Sequence, residues 1–360
     1  VLVLGGLTPV GRHLVTHLVE EYDVEVRVVD QQQPLLAFLN PKHQVAFQEI
    51  EFIQANLNEP AAIQRIFQPK GGSRGFDWVL NCASTARGWE IEEVWRQRFL
   101  HQPKLCAQQA VLTGVKAYVQ MAQGINYKYD GFLNDESRPL QQLIDTSIYC
   151  MDMEKILQAI PDLPLIIIRP AIPWGLEEQG IILNVLCASE IFYRSGQDWN
   201  MTIAQDIQSS VVHILDIARG MAHLAAWYEA TGKQGCVVYN LADASNASEL
   251  RRASSGGGEG RLMSSLIPPI PYSYGRALQE SLTKDRLLEK EWILLLHEQG
   301  ISDSLLVPHF EKEYFTSHHM AVNGRAIVRD TGFQYMYDDG FTVEGIREEI
   351  DDYIEKGFWP

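Results

Sequence analysis

Short apolar runs and amphipathic stretches alternate along the first half of the chain. Val1–Leu4, Val24–Val29, Glu51–Gln54, Trp78–Leu80, Ala117–Met121 and Leu165–Ile168 read as strands. Between them Val10–Glu21, a stretch around Ala61–Phe67, the long Ile91–Thr113 and Met151–Ala159 have the spacing of helices with one buried face. Strands that are apolar on both sides belong to parallel sheets covered by helices. The order therefore predicts an α/β fold, a Rossmann-type doubly wound parallel sheet. Beyond Gly175 the pattern is mixed: apolar Ile181–Tyr193, then Val211–Ala226, a strand at Val237–Asn240, amphipathic Leu278–Gly300 and a last helix at Val343–Lys356. We expect a first domain over residues 1–175, with returning elements near 205–245. A smaller C-terminal mixed α/β domain of substrate type is expected over 176–360. The Gly/Ser-rich run 253–260, followed by prolines at 268, 269 and 271, reads as a loop inserted in that second domain.

Composition narrows the partners. A formal charge of −16 disfavours nucleic acid and anionic membrane surfaces. No run approaches the ~18 apolar residues of a membrane span. Acidic residues gather near the C-terminus (Glu348, Glu349, Asp351, Asp352), where a solvated helix face is expected. The five cysteines are scattered without C-x-x-C spacing, as expected for reduced thiols in the cytoplasm or another reducing compartment. The chain starts without an initiator Met, so an upstream segment, a targeting peptide included, is compatible with it.

The first strand runs into Gly5-Gly6-Leu7-Thr8-Pro9-Val10-Gly11 and then a helix. Dinucleotide-binding turns occupy this place, with glycines for the tight turn, for approach to the pyrophosphate, and for helix–strand packing. The first and last glycines are present, and Thr8 stands in the middle position. Its side chain is expected to crowd the phosphates, although its hydroxyl can also donate to one. Thr8 as N-cap with Pro9 at the first helical position also makes a good helix start. Asp30 closes the second strand, where a carboxylate accepts from the adenosine ribose hydroxyls and repels the 2′-phosphate of NADP. Gln31, Gln32 and Gln33 bring no compensating charge, so NAD is favoured over NADP.

With Asn56-Leu57, Asn81-Cys82-Ala83, Arg169-Pro170-Ala171-Ile172-Pro173-Trp174-Gly175, Val212–Ala218 and Tyr239-Asn240-Leu241-Ala242 in order, the chain resembles the extended (atypical) short-chain dehydrogenases/reductases of NAD-dependent epimerase/dehydratase type. The resemblance implies that Asn56 and Leu57 border the adenine. Cys82, Ala83 and Ser84 would line the phosphate–ribose path, and Pro170 and Ile172 would flank the nicotinamide. Cys82 occupies a small-residue position rather than that of a reactive thiol. His213 and Asp216 are expected to make structural hydrogen bonds at a domain junction. His309, His318 and His319 lack ligand spacing with carboxylates, so no metal is assigned.

The family's chemistry requires a serine or threonine after strand five, and a tyrosine with a lysine four residues later. The serine position falls at Ala122 or Gln123. If Tyr149 is the tyrosine, Met153 takes the lysine's place, while Lys155 falls on the opposite side of the helix and Asp152 would raise the phenol pKa. A second register, set by Glu154, puts Thr146 and Cys150 at the two positions. Tyr127, Lys128 and Tyr129 are the remaining candidates and read as loop residues. The catalytic set is degenerate in either register. The leading expectation is a dinucleotide-binding protein with little or no turnover, a structural or regulatory subunit of a larger assembly or a homodimer. The helices Ile91–Thr113, with Trp89 and Trp95, and Leu278–Gly300 supply either contact surfaces or internal packing. The alternative is an active NAD-dependent oxidoreductase or epimerase acting on a nucleotide-sugar or similar carbonyl substrate, with Tyr149 as proton donor.

Overall fold

A computed structural model describes residues 1–69, 71, 75–86, 90–124, 126–128, 133–195, 209–245, 287–309 and 320–360. Trp89, Tyr129, His318, His319, the 253–260 run, the three prolines after it and the first part of the 278–300 stretch lie outside these residues.

Seven parallel strands form the main sheet: β1 (Leu2–Leu4), β2 (Arg27–Asp30), β3 (Glu51–Gln54), β4 (Trp78–Asn81), β5 (Ala117–Met121), β6 (Leu165–Pro170) and β9 (Val237–Leu241). Their order is β3-β2-β1-β4-β5-β6-β9, the doubly wound arrangement predicted from the alternation. Crossing from β1 to either side puts the C-terminal ends of β1, β2, β4, β5 and β6 at one edge, where a ligand crevice arises. The short strands β7 (Ile172–Trp174) and β8 (Val211–His213) pair with each other outside this sheet, a pairing that three-residue runs do not announce.

Helices cover both faces. On one side α1 (Pro9–Glu21) and α8 (Ile214–Thr231) bring Leu14, Leu18, Ile217, Met221 and Leu224 against the inward residues of β1, β4 and β5. On the other side α3 (Pro60–Ile66), α5 (Gln102–Thr113) and α6 (Ser147–Gln158) bury Ile63, Ala107, Met153 and Leu157. Between α1 and α3 lies the short α2 (Pro41–Gln48).

The expected long helix is interrupted. It runs as α4 (Glu92–Trp95), a π-helical stretch Arg96–His101, and then α5. Pro103 explains the break, since it lacks an N–H and its ring excludes the carbonyl one turn back. Trp95 lies inside, stacked on Phe99 at 5.1 Å between ring centres, so packing rather than partner contact accounts for it.

A separate apolar cluster gathers Trp174, Leu186, Trp292, Ile346, Tyr353 and Trp359. It draws on α7 (Ile181–Ser195), α9 (Leu287–Glu298) and α11 (Val343–Glu355), while the short α10 (Arg325–Thr331) packs on β9. Trp292 anchors α9 in this cluster and donates its indole N–H to Leu306 O at 2.8 Å. Glu349 departs from the expected solvated face: α11 turns it fully inward. Among the described residues no helix is long and apolar enough to cross a membrane.

Candidate cofactor site and active centre

The turn between β1 and α1 is built by two glycines in contact with backbone. Gly5 has φ +75°, and a Cβ there would lie 2.6 Å from Ala83 Cα. A Cβ on Gly11 would lie 2.1 Å from the Gly5 carbonyl oxygen. Gly11→Ala is therefore expected to open the turn at a cost of about 1–3 kcal/mol, read as a lowered thermal midpoint. A Gly11→Ala protein with an unchanged midpoint would show that the turn is not this tight. Gly6 packs against Val28, and the Leu7 side chain is buried against Ala37 and Leu39.

Thr8 satisfies the turn from within. Its hydroxyl donates to Gly5 O at 2.7 Å and accepts from Gly11 N–H at 3.1 Å, so its proton is not directed at a phosphate. Thr8 N–H donates to Gly5 O, and Leu7 N–H donates to Asp30 Oδ2 at 2.9 Å. Pro9 has no N–H. From Leu7 to Gly11 this leaves the Val10 amide as the donor with no backbone acceptor among the described residues, where a helix start without Thr-Pro would offer several.

Asp30 stands at the end of β2 as expected, with Oδ1 accepting from Gln32 N–H at 3.1 Å. Asn56 is exposed beyond β3, its Oδ1 accepting from Asn58 N–H, and Leu57 is buried beneath it. Ala83 N–H caps onto Asn81 Oδ1 at 3.0 Å, and Gln120 Nε2 donates to Ser84 Oγ at 3.1 Å. Cys82 is fully buried with Sγ 3.5 Å from Met221 Sδ, and burial pushes its thiol far up, as suits a packing role. Gly124 N–H holds Pro170 O at 2.7 Å, and Ile172 N–H reaches Ser210 O. Gly5, Asp30, Cys82–Ser84 and Pro170 thus all stand at the carboxyl ends of the sheet strands, with Ile172 just beyond.

Around α6 the residues of the two registers have different surroundings. Tyr149 lies on the α4 side: its ring stacks 6.1 Å from Trp95, Arg96 lies over it at 5.9 Å, and its hydroxyl pairs with Glu92. Partial burial and then Glu92, rather than Asp152, push this phenol up. Met153 is fully buried in the core below the sheet, and Lys155 is exposed on Asp152 at 2.8 Å. Cys150, by contrast, is buried with its sulfur facing the Gln123 backbone amide. The structure thus brings Cys150 and Gln123 together, while Tyr149 packs on Trp95, Arg96 and Glu92. Thr146 precedes α6 with a buried hydroxyl that has no partner among the described residues. Gln123 Oε1 accepts from Asn126 at 3.3 Å.

Tyr127 is buried in a different network. Arg169 Nη1 donates to its hydroxyl at 2.6 Å, and that hydroxyl donates to Asn240 Oδ1 at 2.6 Å. Burial outweighs the nearby Arg169 charge and pushes this phenol up to about 12. Lys128 is exposed. His213 caps α8 by accepting from Leu215 N–H at 3.2 Å, and Asp216 accepts from Met336 and Tyr337 amides at 2.9 Å. Both are structural.

Sequence spacing offers no hint of one cluster. His13 on α1, His43 on α2 and Glu177 after β7 meet in the interior, with donor atoms close enough together to hold a metal ion. Burial, with His43 alongside, pushes His13 down to about 4, and its neutral ring donates to Leu176 O at 2.9 Å. The trio's one carboxylate is already answered by Lys356 at 2.5 Å and Arg12 at 3.3 Å. Two permanent cations fill the role a metal would play, so we read the cluster as an ion-pair network.

No protein-family model matches the sequence, and no curated protein does either. Solved structures do match over the whole length. A dTDP-glucose 4,6-dehydratase from Streptomyces venezuelae, solved with NAD and TYD, is 17% identical with a TM-score of 0.62, over 99% of this chain and 98% of that one. A UDP-glucose 4-epimerase from Bifidobacterium longum, in complex with NAD+ and UDP, is 15% identical with a TM-score of 0.64 over 99% and 98%. A UDP-glucose 4-epimerase from Thermus thermophilus, in complex with NAD, is 14% identical with a TM-score of 0.62 over 98% of each chain. The chain has the fold of the epimerase/dehydratase enzymes.

Proposed function

We propose that this chain binds NAD across the carboxyl ends of β1, β2, β4 and β6 and turns it over little, serving as a structural or regulatory subunit. Residues 176–360, less the elements that return to the sheet, form the substrate-side domain in this reading. Bound NAD would supply a hydride-accepting nicotinamide. Gly5–Gly11 would hold its pyrophosphate with fewer amides than usual, and Asp30 its adenosine ribose. Asn56 and Leu57 would border the adenine, Cys82, Ala83 and Ser84 would line the phosphate–ribose path, and Pro170 and Ile172 would flank the nicotinamide.

The observation that carries the low-turnover reading is the identity of the buried α6 residues. Cys150 and Met153 take the lysine position in the two registers, and neither is a cation that could lower a phenol pKa and hold the ribose. The expected result is that NADH binds at least tenfold more tightly than NADPH, by fluorescence titration, because Asp30 repels the 2′-phosphate. Equal affinities, or no binding at millimolar NADH, would overturn the cofactor assignment. Thr8→Gly with Pro9→Ala returns two amide donors and should tighten NADH binding several-fold, on the scale of about 1 kcal/mol per hydrogen bond.

A second reading, an active oxidoreductase or epimerase on a nucleotide-sugar or similar carbonyl, draws on the buried Thr146 hydroxyl, which has no partner among the described residues. Any measured turnover should then fall ~10²-fold or more in Thr146→Val and stay level in Tyr149→Phe. A large loss in Tyr149→Phe would restore Tyr149 as the proton donor.

A further inference from the structure

The dinucleotide turn is tied to the far end of the chain through buried charges. Both backbone groups of Leu7, at the middle of the turn, are taken. Its N–H goes to Asp30 Oδ2 at 2.9 Å, and its carbonyl accepts from Arg12 Nη2 at 2.8 Å. Arg12 Nη1 reaches Glu177 Oε2 at 3.3 Å, with 10% of the Arg12 side chain and 2% of the Glu177 side chain exposed. Glu177 is held in left-handed backbone, φ +67°, which a non-glycine residue keeps when its surroundings dictate it. Those surroundings are Lys356 Nζ on Oε1 at 2.5 Å and His43 Nε2 facing Oε2 at 3.1 Å. Lys356 caps the C-terminal end of α11 and is steadied by Asp352 at 2.7 Å.

We propose that Glu177 and Lys356 are positioning residues for the dinucleotide turn. Through Arg12 they fix the Leu7 carbonyl, and through Leu7 they fix the Asp30 carboxylate that would read the ribose. This inference rests on the NAD reading above. It makes cofactor affinity depend on the packing of the C-terminal helix against the first domain. Arg12 can do this because its planar fork serves two acceptors at once, which a lysine cannot reproduce in the same geometry. Lys356 also lines a groove of about 720 Å³ between α2 and α11, with 15% of its side chain exposed.

The test is amide exchange of the peptide covering the turn, measured by mass spectrometry on the full chain, together with NADH titration. In Lys356→Met the turn should exchange about three- to tenfold faster, and the NADH Kd should rise by a similar factor. Peptides from β5 and β6 should be unchanged, and Lys356→Arg should restore both readouts. Arg12→Lys, which keeps the charge and loses the fork, should give the same local effect and serves if Lys356→Met does not fold. Unchanged exchange at the turn in a folded variant overturns the proposal. So does faster exchange spread evenly over the chain, which marks a merely structural role. If the wild type binds no NADH, the cofactor reading fails, and the exchange comparison still decides the coupling.

Discussion

Replacing Glu154 with leucine is expected to lower the free energy of unfolding by about 3–5 kcal/mol, because it leaves a buried guanidinium without its carboxylate. Glu154 and Arg169 expose 3% and 7% of their side chains, and two N–H groups of Arg169 reach the carboxylate at 2.9 and 2.6 Å. The third contact, to the Tyr127 hydroxyl, continues to Asn240, whose amide donates to Asn134 O at 3.2 Å. One ion pair thereby joins α6, β6, β9 and the segments after β5. Urea denaturation of the single variant beside Glu154→Leu/Arg169→Met isolates the cause. The double variant should recover much of the loss, since apolar replacement of both partners removes the stranded charge. A double variant no more stable than the single would show that packing, not charge, dominates.

The second large effect is a pH dependence seated beneath α11. Burial pushes Glu178 up to about 7, only partly countered by the amides of Gly180 and Gln179. Glu349, fully buried nearby, is raised well above the usual carboxylate range by burial and then by Glu178. A carboxyl raised in the folded state keeps its proton while the unfolded chain loses it. Its contribution is complete below its ordinary pKa of 4.5 and is lost as pH rises through 7. For Glu178 alone the loss reaches about 3 kcal/mol. Glu177, pulled far down mainly by His43 and Arg12 against the cost of burial, behaves oppositely: its stabilisation is present above 4.5 and lost in acid. Thermal midpoints of wild type and Glu178→Gln should therefore diverge between pH 4.5 and 7, with the variant gaining. Parallel curves across that range would rule out a protonated Glu178.

Much of the fold is legible in the residues themselves. The central strands β1, β4 and β6 are short, largely apolar runs, because a strand buried on both faces leaves little freedom of composition. The Thr8-Pro9 helix start is equally local, since capping involves groups three residues apart. Reading failed where a proline acted through the turn before it, as at Arg96–His101, and where three-residue strands pair, as in β7 and β8. It failed again at Glu349: the charge suggests solvent, while its helical position on α11 faces the second cluster.

The candidate site divides along the same line. Gly5, Gly11 and Asp30 are fixed by sequence, because turn geometry and strand ends place them. The register at α6 is not, since Tyr149 and Cys150 are adjacent and helical spacing admits either. Packing gives the two residues different surroundings: Trp95 and Glu92 take Tyr149, and the end of β5 takes Cys150.

By itself, then, the sequence determined a doubly wound sheet, the place of the glycine turn after its first strand, and a non-basic residue at both Cys150 and Met153. These depend on hydrophobic period and on neighbours a few residues apart. Tertiary structure alone decided that Tyr149 packs on Trp95 and Glu92, and that Arg12, His43, Glu177 and Lys356 meet. Those facts depend on which distant segments share the interior. There a desolvated charge must find a partner, wherever in the chain that partner lies.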